Sequence, residues 1–263
     1  MTESGYLLDN RKQQAGDRFE ALAAVFDAMT TGHFDVLGVG AGWRCLEVGA
    51  GGGSIVRHLS GRVGPAGRVL ATDIEPRFLD PLAGLPNVDV CRHDVVVDPL
   101  PEEEFDLVHA RLVLVHVPER LTAIHRLVQA LRPGGWLLIE DADGPTSEQT
   151  ILDPRTDDDD LANRMRAGLM ELLGERGVDF GFARSLLRIF GSEGLVDIEG
   201  DGYVAFSDTV RILERANVLQ LREELVAGGL ATEPEIERFL AWLDEPHPEL
   251  ATPFLFSAWG RRS

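Results

Sequence analysis

The sequence is short of lysine, of cysteine and of long apolar runs, and each shortage excludes something. Lys12 is the single lysine among 25 Lys plus Arg, so Schiff-base chemistry and a phosphate-loop lysine lose their usual residue. The two cysteines, Cys45 and Cys91, each stand in an apolar run rather than a CxxC pair. That argues against a disulfide framework and a zinc site and fits a reducing cytoplasm. No stretch approaches the ~20 apolar residues of a membrane span. The opening MTESGYLLDNRK has acids early and no apolar core flanked by basic residues, so it does not read as a secretory signal. Positive charge is scarce as well: 25 basic against 44 acidic residues give a formal net charge of −19 and a pI near 4.7. Such a field repels a nucleic-acid backbone and an anionic membrane surface, which excludes both as expected partners.

What remains is ample for a core. With 263 residues, 44% hydrophobic and 26% charged, the chain can build one domain, or a domain with a cap, and is neither disordered nor fibrous. Between Gly42 and Gly144 short apolar runs alternate with helix-like segments, the pattern of a parallel sheet wrapped by helices. The runs are Arg44 to Val48, Arg68 to Thr72, Val88 to Cys91, Phe105 to Ala110 and Trp136 to Asp141. Helices are expected at Ser54 to Ser60, Pro76 to Leu82 and Glu119 to Leu131, the last stopped by Pro133-Gly134-Gly135. Flanking these, Asp9 to Ala28 has the helical spacing of Phe19, Leu22, Ala23 and Phe26, and Leu161 to Leu173 carries an apolar stripe. Later segments read as a helix at Ala183 to Ser192, a strand at Val196 to Phe206, helices at Thr209 to Leu225 and Glu233 to Leu243, and a last strand at Phe254 to Trp259. The expected organisation is a helical lid (1–34), an α/β core (35–144), a cap insert (145–180), a return to the core (181–207), a second helical cap insert (208–250) and a final core strand (251–263).

The first strand runs into Glu47-Val48-Gly49-Ala50-Gly51-Gly52-Gly53-Ser54, a glycine-rich turn opening a helix. Glycines let the backbone approach a ligand, and a helix N-terminus offers free N–H groups to an anion; a tight strand-to-helix turn is the alternative. A nicotinamide turn of the form GxGxxG wants Gly or Ala where Ser54 stands, and the motif here is ExGxGxG. Asp73 ends the second strand in Ala71-Thr72-Asp73, where a carboxylate can accept from both ribose hydroxyls of a nucleoside. Asp94 follows the third strand, placed to accept from an exocyclic adenine amine while Val95 packs on the ring. A helix cap or a solvated loop is the plainer role for either aspartate.

In the order Glu47 to Gly53, Asp73 in ATDIEP, Asp94, Phe105-Asp106-Leu107-Val108 and Leu131-Arg132-Pro133-Gly134-Gly135, the chain resembles the class I S-adenosylmethionine (SAM)-dependent methyltransferases, of the small-molecule type found in bacteria. The resemblance covers about Gly42 to Asp141. It implies an α/β fold, Rossmann-like, with a seven-stranded mostly parallel sheet, helices on both faces, a last antiparallel strand supplied by Phe254 to Trp259, and a helical substrate cap. It also implies SAM as cofactor and S-adenosyl-L-homocysteine as product. The methionine end would lie on Gly49, Ala50 and Gly51 with Glu47 behind them, the ribose on Asp73 with Ile74 beside it, and the adenine on Asp94 and Val95. SAM is a net cation, which an acidic chain attracts.

Methyl transfer needs alignment and at most one proton removed. After the fourth strand, Arg111 can line the carboxylate end of the cofactor or pair with a nearby acid. His116 is the best-placed imidazole for a base, or it fills a half-buried loop. Glu140, Asp141 and Asp143 follow the fifth strand; one can hold a substrate amine or act as base, though as a set they read more readily as solvated. His109 and His116 lack a third ligand at zinc spacing, so no metal is expected. Asp157 to Asp160 reads as a mobile solvated run rather than a magnesium grip. Met165, Met170, Phe239 and the four tryptophans read as core.

The expected function is transfer of a methyl group to an oxygen, or a nitrogen, of a small biosynthetic metabolite in the cytoplasm, by a chain that can form a homodimer. A base-amino methyltransferase signature Asp-Pro-Pro-Tyr is absent. The rivals are an NAD(P)-dependent oxidoreductase and a SAM-fold protein that binds the cofactor without methylating.

Overall fold

The computed structural model describes residues 15–144 and 149–263. Residues 9–14 of the first expected helix, and Pro145 at the start of the first expected insert, lie outside them. Two compact units share the described residues, one holding 26–142, 182–203 and 255–263, the other 15–25, 143–144, 149–181 and 204–254.

The larger unit is a seven-stranded sheet in the order β3-β2-β1-β4-β5-β7-β6. Its strands are β1 (Arg44–Val48), β2 (Arg68–Asp73), β3 (Val88–Arg92), β4 (Phe105–Arg111), β5 (Leu131–Ala142), β6 (Leu195–Tyr203) and β7 (Leu255–Arg262). β1 to β5 pair in parallel, and β7 runs antiparallel to both β5 and β6. This is the expected Rossmann-like sheet, its last strand reversed. The strand order turns around between β1 and β4, the place where open α/β sheets bind ligands at the carboxyl ends of their strands.

Two cores account for the near-continuous apolar strands. Leu46, Val48, Val108, Ala110, Leu137 and Ile139 face one core, with α3 (Arg120–Ala130) and α5 (Leu186–Ser192) contributing Ile124, Leu127 and Phe190. Cys45, Leu107 and Leu138 face the other, with Phe34 of α1 (Ala15–Val36) and Ile55, Val56 and Leu59 of α2 (Ser54–Val63). Neighbouring residues in each strand alternate between the two faces, as the pleat requires.

Three expectations change here. Pro133-Gly134-Gly135 does not separate a helix from a strand: β5 begins at Leu131, directly after α3. The pairing with β4 shifts between Phe105 and Leu107, and a Cβ on Gly135 would stand 2.6 Å from the Phe105 carbonyl, so only glycine lets the bulged strand lie that close. Pro76–Leu82 is a 3₁₀ helix; Pro76 suits a first helical position, but Pro81 inside it lacks the N–H an α-helix would use. Asp157 to Asp160 is solvated, with no member buried, but it is the first turn of α4 (Asp157–Glu175) rather than a loose run. Thr156 and Asp159 form a capping box, and carboxylates are favourable against the positive end of the helix dipole.

The smaller unit packs α4 with α6 (Val210–Ala227) and α7 (Glu233–Trp242) around Leu161, Met165, Leu169, Leu221, Leu225 and Phe239. At its centre Arg166 is fully buried, donating to Glu214, to Thr150 Oγ1 and to the Ala251 carbonyl. A groove of about 750 Å³ is lined by Asp160, Arg164, Met170 and Glu171 of α4 and by Phe180. Among the described residues no helix is long and apolar enough to cross a membrane.

Candidate functional site

At the switch point the glycine turn is fixed from three directions. Gly49 has φ +65°, and a Cβ there would lie 2.4 Å from Cγ2 of Val113; the close packing of the turn against the segment after β4 therefore needs glycine. Ala50 N–H donates to the Thr72 carbonyl at 2.9 Å. Gly51 N–H donates to Asp73 Oδ2 at 2.9 Å, and Glu75 N–H donates to Asp73 Oδ1 at 2.9 Å. Gly53 takes the left-handed N-cap position of α2, whose first turn has no side-chain cap. Burial pushes the Asp73 carboxyl up from its ordinary value, while the backbone N–H groups of Glu75 and Gly51 pull it down. Each of its oxygens keeps lone-pair capacity beyond these single bonds. Beside it, Ile74 leaves 39% of its surface exposed.

Asp94 follows β3 with its Oδ1 accepting from Val96 N–H at 2.9 Å and its own N–H donating to Asp98 Oδ2. Val95 points into the first core and is buried. The structure thus brings Gly49, Ala50, Gly51, Asp73 and Ile74 together, with Asp94 two residues past the end of the neighbouring strand β3. His116 ends a 3₁₀ turn, Leu114–His116, and is partly exposed.

A second constellation lies in the same unit and was missed as a set, although its members Glu47, Arg111 and Glu140 were each singled out. Glu47 on β1 is directly opposite His109 on β4 in the sheet register, and His109 Nδ1 lies 2.6 Å from Glu47 Oε2. On its other side His109 Nε2 lies 3.2 Å from Glu140 Oε2 on β5. Glu140 also meets Thr30 Oγ1 at 2.5 Å and His33 Nδ1 at 2.6 Å, both on α1, and His33 Nε2 reaches Asp201 on β6 at 3.1 Å. Burial opposes a charged His109, but the attraction of Glu47 and the bonds to Glu140 and Glu47 prevail and raise its pKa to about 9. Burial likewise opposes ionised Glu140, and bonds from His109 and His33 hold its carboxyl at about 2.

Arg111 takes the ion-pair role. Its Nη2 donates to Asp27 Oδ1 at 2.8 Å and its Nη1 to Thr30 Oγ1 at 2.9 Å. Ser54, at the start of α2, donates to the same Asp27 oxygen at 3.1 Å. Glu140, Asp141 and Asp143 are not solvated as a set: each is at most 1% exposed. β5 continues to Ala142 between β4 and β7, so Glu140 and Asp141 lie inside the sheet layer rather than beyond it. Burial drives the Asp141 carboxyl up to about 8, against the backbone N–H groups of Val115, Leu114 and Val113; its Oδ2 accepts from Val115 at 3.2 Å.

Residues 46–139 match the model of a family described as a methyltransferase domain. A methyltransferase, Str2, of Strobilurus tenacellus is 37% identical over 129 residues, which are 46% of this chain and 46% of that protein. The ubiquinone/menaquinone biosynthesis C-methyltransferase UbiE of Pseudomonas savastanoi is 29% identical over 157 residues, 52% of this chain and 61% of that one. The chain therefore spans about half the length of the curated relatives it matches. Among solved structures, phosphoethanolamine N-methyltransferase 2 of Haemonchus contortus, in complex with phosphomonomethylethanolamine and S-adenosylhomocysteine, superposes with a TM-score of 0.63 at 16% identity, covering 100% of this chain and 61% of that one. At that identity the likeness is one of fold.

Proposed function

We propose that this chain is a class I SAM-dependent methyltransferase and that it moves the methyl group of SAM to an oxygen, or secondarily a nitrogen, of a small biosynthetic metabolite. One observation carries the reading. Asp73 fixes the glycine turn through Gly51 N–H while its carboxylate, at a strand tip with the exposed Ile74 beside it, still has acceptor capacity on both oxygens. That donor and acceptor set fits a nucleoside whose ribose hydroxyls need a carboxylate and whose base needs an apolar contact.

When bound, SAM supplies a methyl group on a positive sulfur that leaves as a neutral thioether. The residues that would hold it are the Gly49 to Gly51 backbone with Glu47 behind it for the methionine end, Asp73 for the ribose, and Ile74 and Asp94 for the adenine, with Val95 backing them from the core. The acidic charge of the chain favours a cationic ligand over a dinucleotide pyrophosphate. His116, partly exposed after β4, would take the proton that a hydroxyl or amine loses. Segments 145–180 and 208–250 are assigned to recognition of the acceptor. The names of the relatives, a quinone-pathway C-methyltransferase and a phosphoethanolamine N-methyltransferase, support a small acceptor.

The reading is tested by calorimetric titration with S-adenosylhomocysteine and NADH side by side. S-adenosylhomocysteine binds and NADH does not; the reverse result returns the chain to the oxidoreductases. Incubation with methyl-labelled SAM and a panel of phenols, alcohols and amines then reads the acceptor class by product mass. A chain that binds the cofactor and labels none of them is a SAM-fold protein without transferase activity.

A further inference from the structure

The row Glu47, His109, Glu140, His33, Asp201, buried except at the exposed Asp201, follows from sheet register and one helix. Glu47 and His109 are register partners on β1 and β4. His109 pairs with Leu138 on β5, and Glu140 stands two residues further along the same face. Glu140 and Asp201 are both register partners of Ser257 on β7, and His33 of α1 bridges them. The contacts run 2.6, 3.2, 2.6 and 3.1 Å.

Hydrogen-bond counting sets the charges. An ionised carboxylate only accepts, whereas a neutral imidazole has one N–H and one lone pair. His109 has a carboxyl oxygen at each ring nitrogen; Glu140 is held ionised, and although burial raises the Glu47 carboxyl, the attraction of Glu47 and the bonds to both carboxyls keep the proton on His109, so both nitrogens donate. The same count holds for His33 between Glu140 and Asp201. The row then alternates minus, plus, minus, plus, minus, and no buried carboxylate in it lacks a cationic donor. Neutral His109 between two ionised carboxylates would leave Glu47 or Glu140 facing a lone pair at 0–3% exposure, which is costly in a low dielectric.

The row also has a mechanical consequence. Glu47 lies two residues before Gly49, at the foot of the glycine turn. Glu140 receives His109, Thr30 and His33, so its carboxylate holds α1 to the sheet. Phe34 packs edge-on to the His109 ring at 5.5 Å. One imidazole therefore joins the strand that carries the turn to the strand that anchors the helix.

We propose that His109 is a positioning residue for the cofactor: as an imidazolium clamped between Glu47 and Glu140, it locks the foot of the Gly49 to Gly51 turn to helix α1, and cofactor affinity falls when it gives up its proton. This inference rests on the methyltransferase reading for the identity of the ligand. The groups facing the row are Cys45 beside Glu47 on β1, Arg111 on β4, and Asp27 on α1 with its partner His58 on α2. Burial keeps the Cys45 thiol protonated and raises the Glu47 carboxyl against the pull of His109, and Arg111 and Asp27 compensate each other, so the proton shared along the row is the one that His109 holds. His109 holds its proton to about 9, and the same balance raises His33.

The test uses the full chain. Long-range nitrogen–proton spectra of ring-labelled histidine, with His109→Gln identifying the resonance among the seven histidines, show both His109 nitrogens protonated at neutral pH without any ligand. A neutral His109 there overturns the inference. S-adenosylhomocysteine is then titrated by calorimetry from neutral to alkaline pH into the wild type, His109→Gln and Glu140→Gln. Wild-type affinity falls more steeply than that of His109→Gln, by up to about tenfold per pH unit above the imidazole pKa, the limit for one linked proton. Comparing the two profiles cancels titration of the ligand's own amine. Glu140→Gln keeps a neutral acceptor and moves the wild-type fall to lower pH. Parallel profiles for wild type and His109→Gln overturn the positioning role alone. A wild type that binds S-adenosylhomocysteine at no pH overturns the methyltransferase reading together with this one.

Discussion

Asp73 Oδ2 accepts the Gly51 N–H at 2.9 Å, so one carboxylate both shapes the glycine turn and offers itself to whatever the turn binds. Asp73→Ala removes a charged acceptor that is 5% exposed. Loss of such a hydrogen bond weakens cofactor binding by about 1–3 kcal/mol. Calorimetry with S-adenosylhomocysteine checks it, and unchanged affinity removes the ribose assignment. His116→Ala acts differently: turnover drops while cofactor affinity holds, and full activity across the pH range would show that it is no base.

The Asp27 carboxylate joins β4, α1 and α2 through Arg111 and Ser54. Both members of the ion pair are largely shielded, with side chains 10% and 15% exposed, so the pair is stronger than a surface bridge. In a double-mutant cycle with Asp27→Ala and Arg111→Ala, the coupling free energy is about 0.5–3 kcal/mol in urea denaturation. Additive single effects would mean that the two side chains do not act as a pair.

Asp141 gives a pH prediction of definite sign. Its folded pKa, about 8, is above the ordinary carboxyl value, so the folded state holds a proton that the unfolded state releases. Its contribution to stability is complete below the ordinary value and is lost as the pH rises through about 8. Asp141→Asn removes that dependence. The variant matches the wild type near pH 4 and gains on it through about pH 8, by at most about 1.4 kcal/mol per pH unit. Thermal melts across that window measure the difference, and a constant gap contradicts a buried, protonated Asp141.

Local signals were legible in the sequence and lateral ones were not. The glycine turn, Asp73 and Asp94 sit at strand tips marked by their own short patterns, and the fold followed from the alternation of apolar runs and helices. The row through His109 depends on which strands are neighbours and on their register, neither of which a single strand's residues reveal. Pleat parity places Glu47, His109 and Glu140 on one face only once β1, β4 and β5 are adjacent and in this register. His33 and Thr30 fell past the expected end of the first helix at Ala28. Thr30, Thr31 and Gly32 are poor helix formers, yet the helix continues to Val36. Each threonine hydroxyl bonds back to the carbonyl four residues earlier, and Thr30 and His33 anchor to Glu140.

The buried pair Arg166–Glu214 makes the last prediction, on stability rather than function. Both side chains are at most 2% exposed. Arg166 also donates to Thr150 Oγ1 and the Ala251 carbonyl at 2.9 Å, tying α4 and α6 to two loop segments. Arg166 Nη1 and Glu214 Oε2 have no hydrogen-bond partner among the described residues, so the desolvation of both charges is incompletely compensated. Removing one partner strands the other charge: Glu214→Leu alone costs about 3–5 kcal/mol. Arg166→Met combined with Glu214→Leu costs less than that single change, because the double variant buries no unpaired charge. Urea denaturation of the two singles and the double decides the point. A double variant less stable than Glu214→Leu would show that the pair, with its links to Thr150 and Ala251, contributes more than hydrophobic packing of similar volume.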